Sequence, residues 1–563
     1  MKLIKHIATL ATLCTVTGLA FGGTLAEIPL NLRGNVPSNV LFDISVEWPT
    51  AITAAYNGQP YVKANQFEGL FDPNLCYDYS VDHFVPVAAA NTHVCTAGRW
   101  SGNFLNWATM TGLDAFRYAT TGGTRSTDTA TETILERTYI SNQGNLFPNK
   151  TFNPTSAEFI GATPFSVATT YTMVNAGKGV QMTLTGTETA TTTAPGPIDE
   201  TITCNVAWTA GVSPFCTQFK LGSTGATGTC TSWVGDGNNS GLGRYRCVAF
   251  SNFSAPINQV PVLRNSNCPD RVGSSSANTS TCTTYEVRYT GNITTTTNTN
   301  INNTYNVRLQ ACNQAFPLRE NCEQYGSVYK PVGELQRNGE KMRFGVFSYY
   351  NSTDIDNAVM RSKLKYVGPR KYSGSLGFIT NPNKEWSQAN GVFDPNPDSY
   401  EAGKSHGGTV AKSGVINYLN KFGRQSGSYK TYDNFGKMYY ESLRYLRRLP
   451  PTEAFYQFSS PLNNDDFPVI TDWFKDQDGN DNDPIQYTCQ KNYIIAMGDQ
   501  FTHCDKRLPG GSFTSYGPNQ CKGTATQAED KLSLDNGDQG TVNVTNLTTT
   551  IGNWEGLPNL ATT

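Results

Sequence analysis

The chain has 563 residues, a formal net charge of −2, 38% hydrophobic residues and only 16% charged ones, against about 25% charged in an average soluble domain. No basic run is present, which excludes the electrostatic footprint of a nucleic-acid binder and the basic amphipathic helix of a membrane-surface protein. The 28 Phe, 28 Tyr and 8 Trp supply enough apolar surface for packed cores and exclude a disordered chain, and domains of roughly 100–200 residues predict two to four of them.

Residues 1–26 read as a secretory signal peptide. Lys2 and Lys5 form its charged start, Ile7 to Ala20 is a short apolar stretch, and small residues precede cleavage options after Ala20 and Ala26. The stretch falls short of the roughly 20 apolar residues that a membrane span requires, and no comparable stretch follows it. Export places the cysteines in an oxidising compartment, where they read as disulfides. Of 14 Cys, Cys14 lies in the signal segment, so an odd number remains. None has the C-x-x-C spacing that would suggest zinc. Cys76 with Cys95, Cys312 with Cys322 and Cys489 with Cys504 are near neighbours along the chain and are the candidate pairs.

Residues 27–150 mix strand and helix. Asn39 to Phe42, after Pro37, predicts a buried strand. Asn103 to Tyr118 places Phe104, Leu105, Ala108, Leu113 and Phe116 at helical spacing, which predicts a helix ended by Gly122-Gly123; Thr131 to Tyr139 predicts a second, shorter one. Residues 151–310 shift to Thr, Asn, Ser and Gly, with six Cys from Cys204 to Cys282. Val180 to Thr185 and Tyr285 to Tyr289 alternate apolar and polar residues, and Asn292 to Asn303 is β-prone and uncharged. The segment reads as a β-rich, disulfide-containing insertion with long loops rather than a flexible low-complexity stalk.

Residues 311–530 return to α/β character. Met342 to Tyr350 and Tyr493 to Met497 predict strands. Gly414 to Phe422 and Phe435 to Leu449 predict amphipathic helices, the second stopped by Pro450-Pro451, with Arg444, Arg447 and Arg448 near its C-terminal end, where cations suit the helix dipole. Alternation of strand and helix predicts an α/β core, a mostly parallel sheet with flanking helices. Residues 531–563 read as a polar tail and a point of truncation.

An enzyme needs a nucleophile with its base, or a metal cage. Five His are present, with no HExxH or GxSxG. Cys504 next to His503 reads as a disulfide partner rather than a nucleophile. Ala402-Gly403-Lys404-Ser405 lacks the first glycine of a phosphate loop, since Asp398 stands there. Asp476 to Asp483 is the densest acidic cluster. The oxygens of Asp476, Asp478, Asn480 and Asn482 resemble a calcium loop, yet Asp481 stands where an EF-hand has Gly and Tyr487 where it has Glu; a solvated turn is the alternative.

Several long strings resemble the PilY/PilC family of type IV pilus biogenesis and tip-adhesin proteins, in its N-terminal part. They are FDPNLCY (Phe71 to Tyr77), WSGNFLNWATMT (Trp100 to Thr111), SGVINY (Ser413 to Tyr418), YYESLRYL (Tyr439 to Leu446), CQKNYII (Cys489 to Ile495), then Gly498-Asp499-Gln500 and Asp505 to Gly510. They run in the family's order over about residues 70 to 510. The resemblance implies a non-enzymatic protein of the pilus tip, outer membrane surface or periplasm, acting in pilus assembly and adhesion. Its partners would be pilins and other type IV pilus components and a host or abiotic surface receptor. A periplasmic assembly factor without adhesive role is the alternative. The resemblance further implies a von Willebrand factor A-like core interrupted by the insertion; a C-terminal calcium-binding propeller is expected to lie outside this sequence. Such A domains hold a divalent cation, calcium or magnesium, through a DxSxS loop after the first strand. Here that place reads Asp43, Ser45 and Glu47, with Glu47 in place of the last Ser. Thr409 and Asp499 are the further candidate ligands. A degenerate loop whose groups only cap turns is the other reading.

Overall fold

The protein is described by a computed structural model. It describes residues 36–204, 218–251 and 284–498, apart from 97, 154–158, 160, 166–167, 175–178, 222–226, 237–243, 351–356, 423–428 and 457–464, together with 508 and 544–557. The signal segment lies outside the described residues. The chain forms two compact units, Met1–Gly186 with Ile301–Thr563, and Thr187–Asn300.

In the first unit, four strands make one sheet: β1 (Ser38–Ser45), β2 (Met342–Ser348), β3 (Val359–Lys365) and β4 (Asn492–Gly498), in the order β3-β2-β1-β4. β1 pairs in parallel with both β2 and β4, and β3 runs antiparallel along the edge of β2. Every residue of β1 and β2 is buried, as expected where helices cover both faces of a parallel sheet. Alternation along β1 sends Val40, Phe42 and Ile44 into a cluster with Val415, Ile416 and Leu419, while Leu41 joins Phe347, Met438 and Tyr445 on the opposite face.

Asn106 and its neighbours belong to the other half of this unit, a six-stranded sheet packed on helix α1 (Gly102–Thr109) and followed by α2 (Gly112–Thr121). The single helix predicted from Asn103 to Tyr118 is broken at Met110-Thr111. Thr111 N donates to Asp114 Oδ2 at 2.9 Å and Asp114 N to Thr111 Oγ1 at 3.1 Å, a capping box that starts a new helix. The helix predicted from Thr131 to Tyr139 is instead a strand over Thr133–Glu136. It pairs on one side with Arg125–Asp128 and on the other with Arg308–Gln310, so partners from a distant segment outweigh local helix propensity. Disulfides join Cys76 to Cys95 and Cys312 to Cys322. Cys489 is an exposed free thiol, so the pair expected from its nearness to Cys504 is not formed; Cys504 itself lies outside the described residues.

Further along, α3 (Val415–Leu419) and α4 (Phe435–Leu446) flank the first sheet. α4 is shorter than the predicted Phe435–Leu449, because Arg448 takes a left-handed φ of 56° just ahead of Pro450-Pro451. Arg444 is buried and donates to Pro450 O at 2.8 Å rather than facing solvent. The expected polar tail contains α5 (Val544–Trp554).

In the second unit, Gln218–Leu221, Thr227–Asp236 and Arg244–Ser251 form an antiparallel run. The long strands Gln181–Cys204 and Thr284–Asn306 pair with one another and place Thr187–Cys204 and Thr284–Asn300 in this unit.

Candidate functional site

The strings that carried the resemblance are building parts. Every residue from Trp100 to Thr111 is buried. On α1, Asn106 Oδ1 accepts from Phe71 N at 3.0 Å, and its Nδ2 donates to Phe67 O at 2.8 Å and Phe71 O at 2.9 Å. Asn103 does the same for Phe67 N and Asn65 O, at 2.7 and 2.9 Å. Two asparagines one turn apart thus satisfy the backbone of the 65–71 loop. Gly102 must be glycine, since a Cβ there would lie 2.1 Å from Asp72 O. In SGVINY, the buried Glu385 accepts from Val415 N and Ile416 N, both at 2.7 Å, and caps α3. In YYESLRYL, Glu441 accepts from Thr452 N at 3.0 Å, and Ser442 reaches across to β1.

That reach defines the candidate site, where the parallel strands end. Ser442 Oγ donates to Asp43 Oδ1 at 2.6 Å. Asp43 Oδ2 is buried with no hydrogen-bond partner. Burial pushes the Asp43 carboxyl up to about 7, against which the Ser442 hydrogen bond works. Two residues on, Ser45 Oγ accepts from Asn434 N at 3.1 Å and lies 3.5 Å from Asn434 Oδ1. Lys430, fully buried, donates from its ammonium to the same Asn434 Oδ1. Its Nζ sits 4.4 Å from the centre of the Tyr349 ring, and Tyr349 OH donates to Val46 O at 3.1 Å. Glu47 is buried at the start of the short helix Trp48–Ile52. Thr409 is exposed, and its hydroxyl donates to Gly403 O at 3.4 Å, within its own loop. Asp499 lies outside the described residues. Asp43 and Ser45 thus share the end of β1, Asp43 held by Ser442 and Ser45 by Asn434, which Lys430 engages in turn, with Glu47 two residues on. No motif announced Lys430 and Asn434; Ser442 stood in a string whose spacing gave no hint of its partner.

The buried Asp43 carboxyl has a sign that can be tested. A folded-state value above the ordinary 3.8 favours the neutral form in the fold, so this contribution is full below pH 3.8 and is lost as pH rises through about 7. At about 1.4 kcal/mol per tenfold change in proton affinity, this contribution is bounded at about 4 kcal/mol. Asp43→Asn, which still accepts from Ser442, should flatten the fall in stability expected of the parent between pH 5 and 8. Urea unfolding across that range checks it; a parallel fall in both proteins would rule out Asp43 as its source.

In the acidic cluster Asp476 closes a turn. Asp476 Oδ1 accepts from Asp478 N at 2.9 Å and Asn480 N at 2.8 Å, and Asn482 N donates to Phe474 O. Arg448 grips Asp481 at 2.6 and 2.7 Å and Asp483 at 2.9 Å. Its left-handed backbone thus ends α4 and aims the guanidinium at this turn. Among the described residues, no three carboxylate, His or Cys side chains converge on a metal-sized site.

Comparison with known proteins places these parts. A family described as the PilY1 homolog small alpha/beta domain matches residues 58–195, the stretch that holds the Asn103 and Asn106 clamps. A type IV pilus biogenesis factor PilY1 homolog of Xylella fastidiosa (strain Temecula1 / ATCC 700964) is 30% identical over 537 residues, 89% of this chain and 35% of the relative. The chain belongs to the PilY1 family. A further PilY1 homolog of the same organism is 40% identical over 76 residues, 13% of this chain and 5% of that relative. This PilY1-family chain therefore spans about a third of the length of the first relative. No solved structure matches it. Among the described residues, no helix is long and apolar enough to cross a membrane.

Proposed function

We propose that this chain acts in type IV pilus assembly and in adhesion, by binding rather than catalysis, at the pilus tip or outer cell surface after export. Its PilY1 relative is named a pilus biogenesis factor. The sheet order β3-β2-β1-β4, with three parallel strands and an antiparallel edge, supports a von Willebrand factor A-like core, interrupted by the insertion. In such a core the ends of the parallel strands face the loops that bind. The partners would be pilins and other pilus components, and a surface receptor.

One observation carries the adhesive part. Thr stands at every second position from Thr183 to Thr193. In the second unit, Thr187 Oγ1 meets Asn300 Oδ1 at 3.3 Å and Thr193 Oγ1 meets Thr294 Oγ1 at 3.1 Å, so both pairs share one register. Residues 191–194 and 293–300 are exposed and uncharged. Natural edge strands are usually guarded by charge or proline. Between Glu188 and Pro195 on one strand and after Arg288 on the other, these exposed stretches carry no such guard, which suits recognition of a neutral, hydrogen-bonding surface, or pairing with a partner's strand.

The register also supplies the experiment. Thr183 pairs with Thr304 at 3.0 Å and Thr187 with Asn300, which sets Gly186 opposite Ile301. Residues 187–300 are therefore replaceable by a two-residue Asn-Gly turn. A strain carrying this shortened chain should make normal numbers of pili and attach no better than a non-piliated strain. Normal attachment would overturn the adhesive role of the insertion. Loss of pili would favour the alternative, a periplasmic assembly factor in which the insertion contacts the assembly machinery.

A further inference from the structure

We propose that Lys430 supplies, from within the fold, the positive charge that a divalent cation would otherwise supply at the end of β1, so that the loops there are held together without a metal. This inference concerns the β1 end alone and does not depend on the adhesive reading.

Loops from three parts of the chain meet at this end, and Lys430 joins them. Its carbonyl accepts from Trp48 N at 2.8 Å, on the loop after β1. Its Nζ lies 4.4 Å from the Tyr349 ring centre, just after β2. The same ammonium donates to Asn434 Oδ1, immediately ahead of α4. Asn434 then returns to β1 through its backbone N–H on Ser45 Oγ, and its Nδ2 donates to Asn357 O, ahead of β3. An ammonium is a compact point charge with three donors. Set between Asn434 Oδ1 and the face of Tyr349, it does for these loops what a bound cation does for its ligands.

The oxygen donors do not fit a second cation beside it. Calcium takes six to eight oxygens and magnesium about six in a strict octahedron. At this strand end Ser45 Oγ is engaged by Asn434 N, and Asn434 Oδ1 is engaged by Lys430. Asp43 has one oxygen held by Ser442 and one unpartnered. Among the described residues no three carboxylate, His or Cys side chains converge there, the one unpartnered oxygen of Asp43 is not a coordination sphere, and a lysine ammonium joined to Ser45 through Asn434 opposes a further positive charge there.

The test is thermal unfolding of the full chain in EDTA and in millimolar calcium or magnesium. The parent midpoint should be the same in all three. Lys430→Ser, which removes the ammonium and opens its space, should melt roughly 5 °C lower or more in EDTA, and should regain at least half of that loss with either cation. A parent midpoint that rises with calcium or magnesium, and no longer does so in Asp43→Asn, would overturn the proposal. So would a Lys430→Ser protein as stable as the parent, or one destabilised with no recovery by either cation. Should Lys430→Ser fail to fold, terbium luminescence decides with two folded proteins. Equal signals from the parent and Asp43→Asn support an internal cation; a signal lost in Asp43→Asn refutes it.

Discussion

Asn106→Leu should destabilise the protein by about 3–6 kcal/mol, a large share of the roughly 5–15 kcal/mol that holds a typical domain folded. Leucine matches asparagine in size and suits the apolar setting of α1, so lost volume is not the cause. The cost lies in what is left behind. Phe71 N and Phe67 O lose their partner on Asn106, while Phe71 O keeps Arg319 Nη1 at 3.3 Å, in a site closed to water by Trp100, Phe104 and Trp107. An orphaned buried polar group costs about 1–3 kcal/mol. Urea unfolding followed by tryptophan fluorescence reads the effect directly. A shift below about 1 kcal/mol would mean that the 65–71 loop finds other partners, and that the asparagine clamp is not what the family string encodes.

Arg361→Met should come close behind, at about 3–5 kcal/mol. Arg361 stands on β3, is 1% exposed, and its guanidinium serves four carbonyls. Nη1 donates to Phe467 O at 3.1 Å and Pro468 O at 3.2 Å. Nη2 donates to Tyr349 O at 2.8 Å and to Tyr350 O. The charge is thus spent on peptide dipoles of two segments that have no ladder of their own, and hydrogen bonds from a charged donor are worth about 1.5–3 kcal/mol each. Arg361→Lys should recover only part of the loss, because a point charge cannot span the planar fork's two pairs of acceptors. Equal stability of the lysine variant and the parent would show that charge alone, without the fork, organises the β2 end.

Much of the architecture was legible in local patterns. The run from Asn39 to Phe42 became the buried β1, extended to Ser45 because parallel partners on both sides continue the ladder. Met342 to Tyr350 and Tyr493 to Met497 became its neighbours, and the interrupted apolar pattern of α/β character did form a mainly parallel sheet. The misreadings have separate causes. Thr131 to Tyr139 looked helical because its strand partner, Arg308–Gln310, lies more than a hundred residues away along the chain, past Thr187–Asn300. One helix was expected from Asn103 to Tyr118 because apolar spacing is blind to the capping box of Thr111 and Asp114. Cys489 was paired with Cys504 because chain distance is a poor guide to which thiols meet.

The amino-acid sequence by itself determined the family, the polar composition of the 151–310 segment and the positions of most strands of the first sheet, because each is written in local composition, period or string. Only the tertiary structure decided what the family-like strings are for and what stands at the end of β1. Asn106 serves the loop at Phe67–Phe71, Ser442 serves Asp43, and Lys430 serves Asn434. These bonds join residues tens to hundreds of positions apart, or arise within a loop whose path is set by the sheet it covers. Buried polar groups must find partners wherever the fold brings them, and that choice depends on three-dimensional closure, for which no local pattern exists.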